Sequence, residues 1–318
     1  AQGLTFRYGI KLANTSGAMK KIVLTILTIA LLLVGLTPVA VFCDEQPEAS
    51  MYLWRLINEA RVYPLRTIES LGIDEEAARQ ALGEDAWMLD QGLPPVAWND
   101  SLYQAAAGHN QDMVEQLYYC STGLDGSSVA DRVAAREYEA VAAGELLGVM
   151  AFDAVIAPLE AARLLFENWL EDELNPANTS VRRIFSRDFS EAGFSFNAAV
   201  LDLGEDLPHN VYVAVVDFGR PQVPVVCLIG NVYQDVNQDG FWEPGEGRPG
   251  VGMVLRDMVR GNTVSFISGV QGAYQVAVSG IFFTVGIADA QGMPVRADSI
   301  SGAAFGWREN RLVDFHLQ

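Results

Sequence analysis

Leu93-Pro-Pro-Val-Ala-Trp98-Asn99-Asp100-Ser-Leu102-Tyr-Gln-Ala-Ala-Ala-Gly-His109-Asn-Gln-Asp-Met113-Val-Glu-Gln-Leu117 decides how the larger part of this 318-residue chain folds. Asn99-Asp100 is a helix-capping pair, and Leu102, Ala105, Ala106, Met113 and Leu117 then recur at helical spacing, which predicts a helix ending near Tyr119. Upstream, Met51, Leu53, Trp54, Ile57, Ala60 and Val62 repeat with the same period, and Pro64 closes a helix over 49–63. Downstream, Ala161, Ala162, Leu165, Trp169 and Leu170 mark a third helix from Pro158 to Leu174. Ala192–Val200 and Val211–Phe218 read as paired antiparallel strands joined by the polar loop 204–210. Helices enclosing a few strands make residues 49–219 an α+β unit.

From Val223 onward the composition changes to short β-type runs punctuated by glycine. Pro221 and Pro224 mark a linker over 220–225. Strands are expected at 225–233, 251–255, 264–267, 273–278, 281–287 and 312–315, a small all-β sandwich filling 226–318. Inside it, Asp235-Val-Asn237-Gln-Asp239-Gly240-Phe241-Trp-Glu243-Pro-Gly-Glu246 fits the calcium-loop pattern D-x-[DN]-x-[DN]-G-x5-E without a mismatch. The spacing predicts a calcium ion held by Asp235, Asn237 and Asp239, the Phe241 carbonyl, Glu243 through water, and a bidentate Glu246. The flanking β-branched and aromatic residues exclude the two helices of an EF-hand. The alternative is an acidic turn that merely solvates a strand connection.

Met19-Lys20-Lys21 followed by the apolar run from Ile22 to Leu36 has the form of a secretory signal, with cleavage expected after Cys43; residues 1–18 read as an upstream extension. An uncleaved anchor over Ile22–Val41 is the competing reading, and the only one that involves a membrane. Phe42, where a small residue is needed, argues against lipidation of Cys43. The chain holds 40 acidic against 21 basic residues, a formal charge of −19, and its three lysines (Lys11, Lys20, Lys21) all lie before Cys43. Such acidity excludes nucleic acid as a partner. Cys120 and Cys227 lack metal-type spacing, and nothing in the sequence places them within disulfide reach.

Leu56-Ile57-Asn58-x-Ala60-Arg61, the Leu93–Met113 stretch, Asp125-Gly126-Ser127-Ser128 with Asp131-Arg132, Ala143-Gly144-Glu145, and Ile184-Phe185 before Glu191-Ala-Gly193 together resemble a bacterial member of the CAP superfamily, the SCP-like extracellular proteins. The resemblance implies a CAP-like αβα sandwich. It also implies a central cleft in which metal-binding members use two histidines and two acids. Here the first histidine position resembles Ser121 and the second Ser180. Glu145 survives, and Asp172 is the candidate for the second acid. Without imidazoles the cleft lacks nitrogen ligands and a neutral-pH base, so tetrad-based metal binding or acid–base chemistry is not expected. His109, in mid-helix, reads as a packing residue. In the distal part, Gly230–Gly240, Pro249-Gly250-Val251 and Gly272-x-Tyr274-x-Val276 resemble SdrD-type B repeats and related prealbumin-like modules of bacterial surface proteins, which implies that calcium rigidifies a spacer or adhesive domain.

These readings converge on a secreted or cell-surface protein, with the periplasm as a further option, that acts by binding or adhesion. Its ligand would be a lipid, a glycan or a protein. No catalytic residue is assigned. An extracellular hydrolase or protease-like enzyme using Glu145, desolvated to act as a base, is the alternative, and a structural spacer is a third. Trp242 and Trp307 would stack on a sugar ring if exposed.

Overall fold

The computed structural model describes residues 39–178, 181–202, 209–278, 283–289, 292 and 309–317. The charged and apolar leader up to residue 38, Ser180 and Trp307 lie outside them. Among the described residues no helix is long and apolar enough to cross a membrane.

Helix α1 (Pro47–Val62) organises the first part of the chain. Pro47 opens it, where a missing N–H costs nothing. Trp54, Asn58 and Arg61 follow one another up a single face at spacings of four and three. The Trp54 indole donates to the Val96 carbonyl at 2.9 Å, and the Asn58 amide donates to that carbonyl and accepts from the Val96 N–H at 2.7 Å. Arg61 donates to the carbonyls of Pro94, Ile184, Ser186 and Phe189. One helix face thus satisfies backbone groups of two loops that prolines and irregular geometry leave without ladder partners. Burial lowers the pKa of Arg61 to about 10, opposed by the charge of Glu173.

Short helices α2 (Pro64–Ser70), α3 (Glu75–Leu82) and α4 (Trp87–Gln91) follow. Strand β2 (Ala97–Trp98) leads into helix α5 (Asp100–Gln116), and the Asn99 side chain caps the N–H groups of Ser101 and Leu102 as the sequence predicts. The helix stops at Gln116, short of Tyr119, because Leu117 takes the left-handed conformation. Helix α6 (Val129–Ala134) begins with a Ser128/Asp131 capping box, and helix α7 (Pro158–Glu173) closes the helical set.

The main sheet runs β1-β4-β5-β3, all antiparallel, from β1 (Val39–Glu45), β3 (Ala140–Phe152), β4 (Glu191–Asp202) and β5 (His209–Pro221), with β2 parallel to β4. Alternation sorts its faces. Phe194, Phe196, Tyr212, Ala214, Val216 and Phe218 pack with α1 and α7, while Val211, Val213 and Val215 pack with α5. At Gly193 a Cβ would lie 1.9 Å from the Tyr103 nitrogen, so α5 can cross β4 there only over a glycine. Strand β1 spans the expected cleavage boundary: Val39 to Glu45 pair with Asp202 to Asn197, and a cut after Cys43 would take most of the edge strand with it.

The C-terminal part is built of strands in two small sheets. One is β10-β7-β8, from β7 (Gly252–Asp257), β8 (Thr263–Ile267) and β10 (Phe283–Ile287). The other is centred on the fully buried β6 (Cys227–Tyr233), which pairs with β9 (Ala273–Ala277), β11 (Arg311–Leu312) and β12 (Phe315–His316). Leu228, Val232, Met253, Leu255, Val285 and Phe315 form their shared core. The other face of β6 does not stay within this unit. Ile229, Tyr233 and the loop residue Trp242 belong to the core of the helical part, so the 220–225 connection joins two packed bodies rather than separating them. Trp242 is buried against Tyr52 and Arg55 and is no surface platform. Cys120 and Cys227 are both free thiols, the first exposed and the second buried.

Arg55 is the electrostatic centre of this junction. Its guanidinium pairs with Glu59 at 2.6 Å and Asp314 at 2.7 Å and donates to the Asn231 amide oxygen at 3.2 Å. Burial alone would lower its pKa, but the two carboxylates outweigh that and raise it. Removing one member of a buried ion pair strands the others. Arg55→Ala is therefore expected to lower unfolding stability by about 3 kcal/mol in urea denaturation, and to expose the 220–226 segment to limited proteolysis.

Candidate functional site

Strand β3 carries Glu145 into a buried cluster beneath α5 and α6. Its Oε1 accepts from Arg132 Nη2 at 2.5 Å, and the same nitrogen donates to the Ser121 carbonyl at 3.0 Å while Nη1 donates to the Ser127 carbonyl. The acid is thus fastened by an arginine of α6 rather than by backbone amides. The Ser121 position itself is exposed; what it brings to the cluster is its main-chain oxygen, not a hydroxyl. His109 is buried with Nε2 3.0 Å from the Cys120 carbonyl and 3.8 Å from Glu145 Oε1. Burial lowers its pKa, the charge of Glu145 opposing, so the neutral ring donates Nε2–H to the carbonyl. A residue that reads as core packing therefore also borders the cleft acid.

Asp217 is the member that the sequence reading missed. It faces Glu145 in register across β3 and β5 and is completely buried. Neither of its oxygens, nor Glu145 Oε2, has a hydrogen-bond donor from the protein. Burial, reinforced by the adjacent Glu145 charge and opposed by Arg132, pushes its pKa well above the ordinary carboxylate range. A protonated Asp217 satisfies the pair, because only a carboxylic O–H can bridge two facing carboxyl groups. The available signal was one acid inside the apolar run Val211–Phe218. Burial and the Glu145 charge likewise raise the Tyr119 phenol.

The backbone carbonyl of Asp172 accepts from the Asn178 amide. Its neighbour Glu173 is the structural acid, accepting from the N–H groups of Arg183, Ile184 and Phe185 at 2.7, 2.9 and 3.1 Å. Ser180 lies outside the described residues.

In the acidic loop of the distal part, Asp235 accepts from the N–H groups of Asp239 and Gly240, and Asp239 from that of Phe241. Glu246 closes the loop by accepting from Val236 and Glu243. Gly240 takes φ 84°, the turn that its place in the pattern requires. The Asn237 amide donates to both Asp239 and Glu243 at 3.0 Å, supplying partial positive charge between two carboxylates. Desolvation and the charges of Asp239, Glu246 and Asp235 raise the pKa of the exposed Glu243. The donors are hard oxygens throughout, the chemistry that suits calcium. Among the described residues, however, no three His, Cys, Asp or Glu side chains converge as a metal cluster.

The buried carboxyl pair has a testable pH signature. A carboxyl whose folded pKa lies above its unfolded value binds more protons when folded, so its contribution falls as pH rises from about 4 through the folded pKa. Asp217→Asn is expected to raise the melting temperature at pH 8, by the equivalent of about 1–2 kcal/mol, and to change it little near pH 4. An equal effect at both pH values would rule the shifted proton out.

The family model of the cysteine-rich secretory protein family, CAP, matches residues 54–200. No curated protein matches the chain. Among solved structures, an extracellular protein containing a SCP domain from Bacillus anthracis str. Ames is 19% identical, over 49% of this chain and 43% of that one, with a TM-score of 0.26. The chain thus spans under half the length of that protein. With Trp54, Asn58, Arg61, Arg132 and Glu145 all inside the matched span, residues 54–200 of this chain are a CAP domain.

Proposed function

We propose that the protein is a secreted or cell-surface CAP-domain protein that acts by binding or adhesion, and that calcium stiffens its C-terminal β module, which we read as an SdrD B-like, prealbumin-like sandwich. Extracellular location is supported by the CAP domain and by the leader-like sequence before Cys43. The observation that carries the binding reading is the state of Glu145. Its acceptor oxygen is held by Arg132, and the nearest imidazole nitrogen is engaged by the Cys120 carbonyl, which leaves no positioned base for Ser121 or Cys120. The hydrolase alternative requires Glu145 to act as that base. Fluorogenic ester and peptide substrates incubated with the full chain and with Glu145→Gln should give no difference in turnover; hydrolysis lost in Glu145→Gln sinks the binding reading.

Asp235, Asn237, Asp239, Glu243 and Glu246, with the Phe241 carbonyl, would hold the calcium. The ion would supply the positive charge that the loop's carboxylates lack. With an affinity on the order of 10⁻⁴ to 10⁻³ M, calcium at a hundredfold excess over Kd is expected to stabilise the chain by about 2.7 kcal/mol. Thermal melts with calcium and with chelator measure this. Asp239→Ala should abolish the difference, and a melting temperature indifferent to chelator removes calcium from the proposal.

A further inference from the structure

Where the two parts of the chain meet, a groove of ≈ 370 Å³ opens between the start of α1, the β2–α5 turn and β9. Its walls are aromatic. Trp54 and Trp98 meet edge to face at 89° and 6.4 Å, and Tyr103 lies 5.5 Å from Trp98 at 36°. The indole donors are already committed, Trp54 to the Val96 carbonyl and Trp98 to Asp100; Trp54 is itself buried and Trp98 stacks on Phe194 at 21°, so the ring surface offered to the groove comes from the partly exposed Trp98 and Tyr103. Gln275 is committed too: its amide exchanges hydrogen bonds of 2.7 and 2.9 Å with the backbone of Trp98, which fixes the β module as one side of the groove. Two polar features remain. Glu45, exposed at the lip, accepts from the Tyr103 hydroxyl, and the buried Ser50 hydroxyl has no hydrogen-bond partner. Among the described residues no lysine or arginine lines the groove, and the chain as a whole carries a charge of −19.

We infer that this groove binds a quaternary ammonium group, the trimethylammonium of a choline-type ligand. An apolar cation is what aromatic faces beside one carboxylate attract, since it takes the ring quadrupole and the opposite charge and needs no acceptor. A primary ammonium needs three acceptors, and the groove offers a single carboxylate already bonded once. A sugar needs several hydrogen bonds, and the indole and amide donors are spent. The Ser50 hydroxyl is placed for the oxygen of the ligand's ethanolamine or ester end. The groove shares no residue with the Glu145 cluster or the acidic loop, so it stands apart from both readings above.

The test is an amide-resolved NMR titration of the full chain with choline chloride, with its uncharged isostere 3,3-dimethyl-1-butanol, and with potassium chloride as ionic control. Saturable shifts at Ser50, Trp98 and Gln275 are expected from choline, with affinity about tenfold or more above that for the isostere. Tyr103→Leu should weaken choline binding about tenfold and Glu45→Gln several-fold, each variant being checked by its melting curve. Glu45→Gln leaves the aromatic walls intact, so it remains informative if Tyr103→Leu unfolds. Chelator and Glu145→Gln should change nothing, which separates this site from the other two. Phosphatidylcholine vesicles against phosphatidylglycerol vesicles, beside free phosphocholine, distinguish a lipid headgroup from a soluble or polymer-borne source. Equal affinity for the isostere, shifts that do not saturate by about 0.1 M choline, or binding unaffected by Glu45→Gln would overturn the inference.

Discussion

A guanidinium taken out of water must find an acceptor for each of its N–H groups, and helix α1 buries two of them. Arg61 spends its donors on four main-chain carbonyls from loops more than 30 residues away along the chain, and Arg55 spends its own on Glu59, Asn231 and Asp314. The first set fixes the irregular backbone around β2 and before β4, on which the register of the sheet rests. The second seats the β module on the helical part. A displaced α1 would leave both cations unsatisfied.

The same reasoning applies to the Glu145 cluster. Where the resemblance implies an imidazole, the chain has Ser121, and Arg132 ties the Ser121 carbonyl to Glu145. One fixed positive charge then serves two acids, Glu145 and Asp217, and it bonds only the first. The imbalance shows at Asp217, whose pKa burial and the adjacent Glu145 charge push well above the ordinary carboxylate range. The groove at the domain junction is separate from this cluster, with the partly exposed rings of Trp98 and Tyr103 beside the Glu45 carboxylate.

Much of this was legible in the residues, and the exceptions have physical reasons. Trp54, Asn58 and Arg61 share one helix face by spacing alone, and Asn99 is a cap by its chemistry. Strand β3 went unread because Ala140–Phe152 is rich in alanine, glycine and leucine; its strand character comes from pairing with β5 over nearly its whole length, not from propensity. Glu173 was not read from the sequence, because only the docked loop shows that its carboxylate meets the three amides. Trp242, a stacking candidate only if exposed, is buried. Its burial depends on Tyr52 and Arg55, nearly two hundred residues earlier.

By itself the sequence determined the short-range features: where helices start and stop, the turn at Gly240, the acidic loop with its oxygen donors, and the CAP motifs in their order. Each of these depends on residues within a few positions of one another, whose geometry the local backbone dictates. Only the tertiary structure decided that Glu145 faces Asp217, that Arg132 rather than a histidine is its partner, and that the β module lies on α1. Those outcomes turn on desolvated charges and rings brought together from distant parts of the chain, as in the Arg55–Asp314 pair, and their energies exist only once water has been excluded from between them.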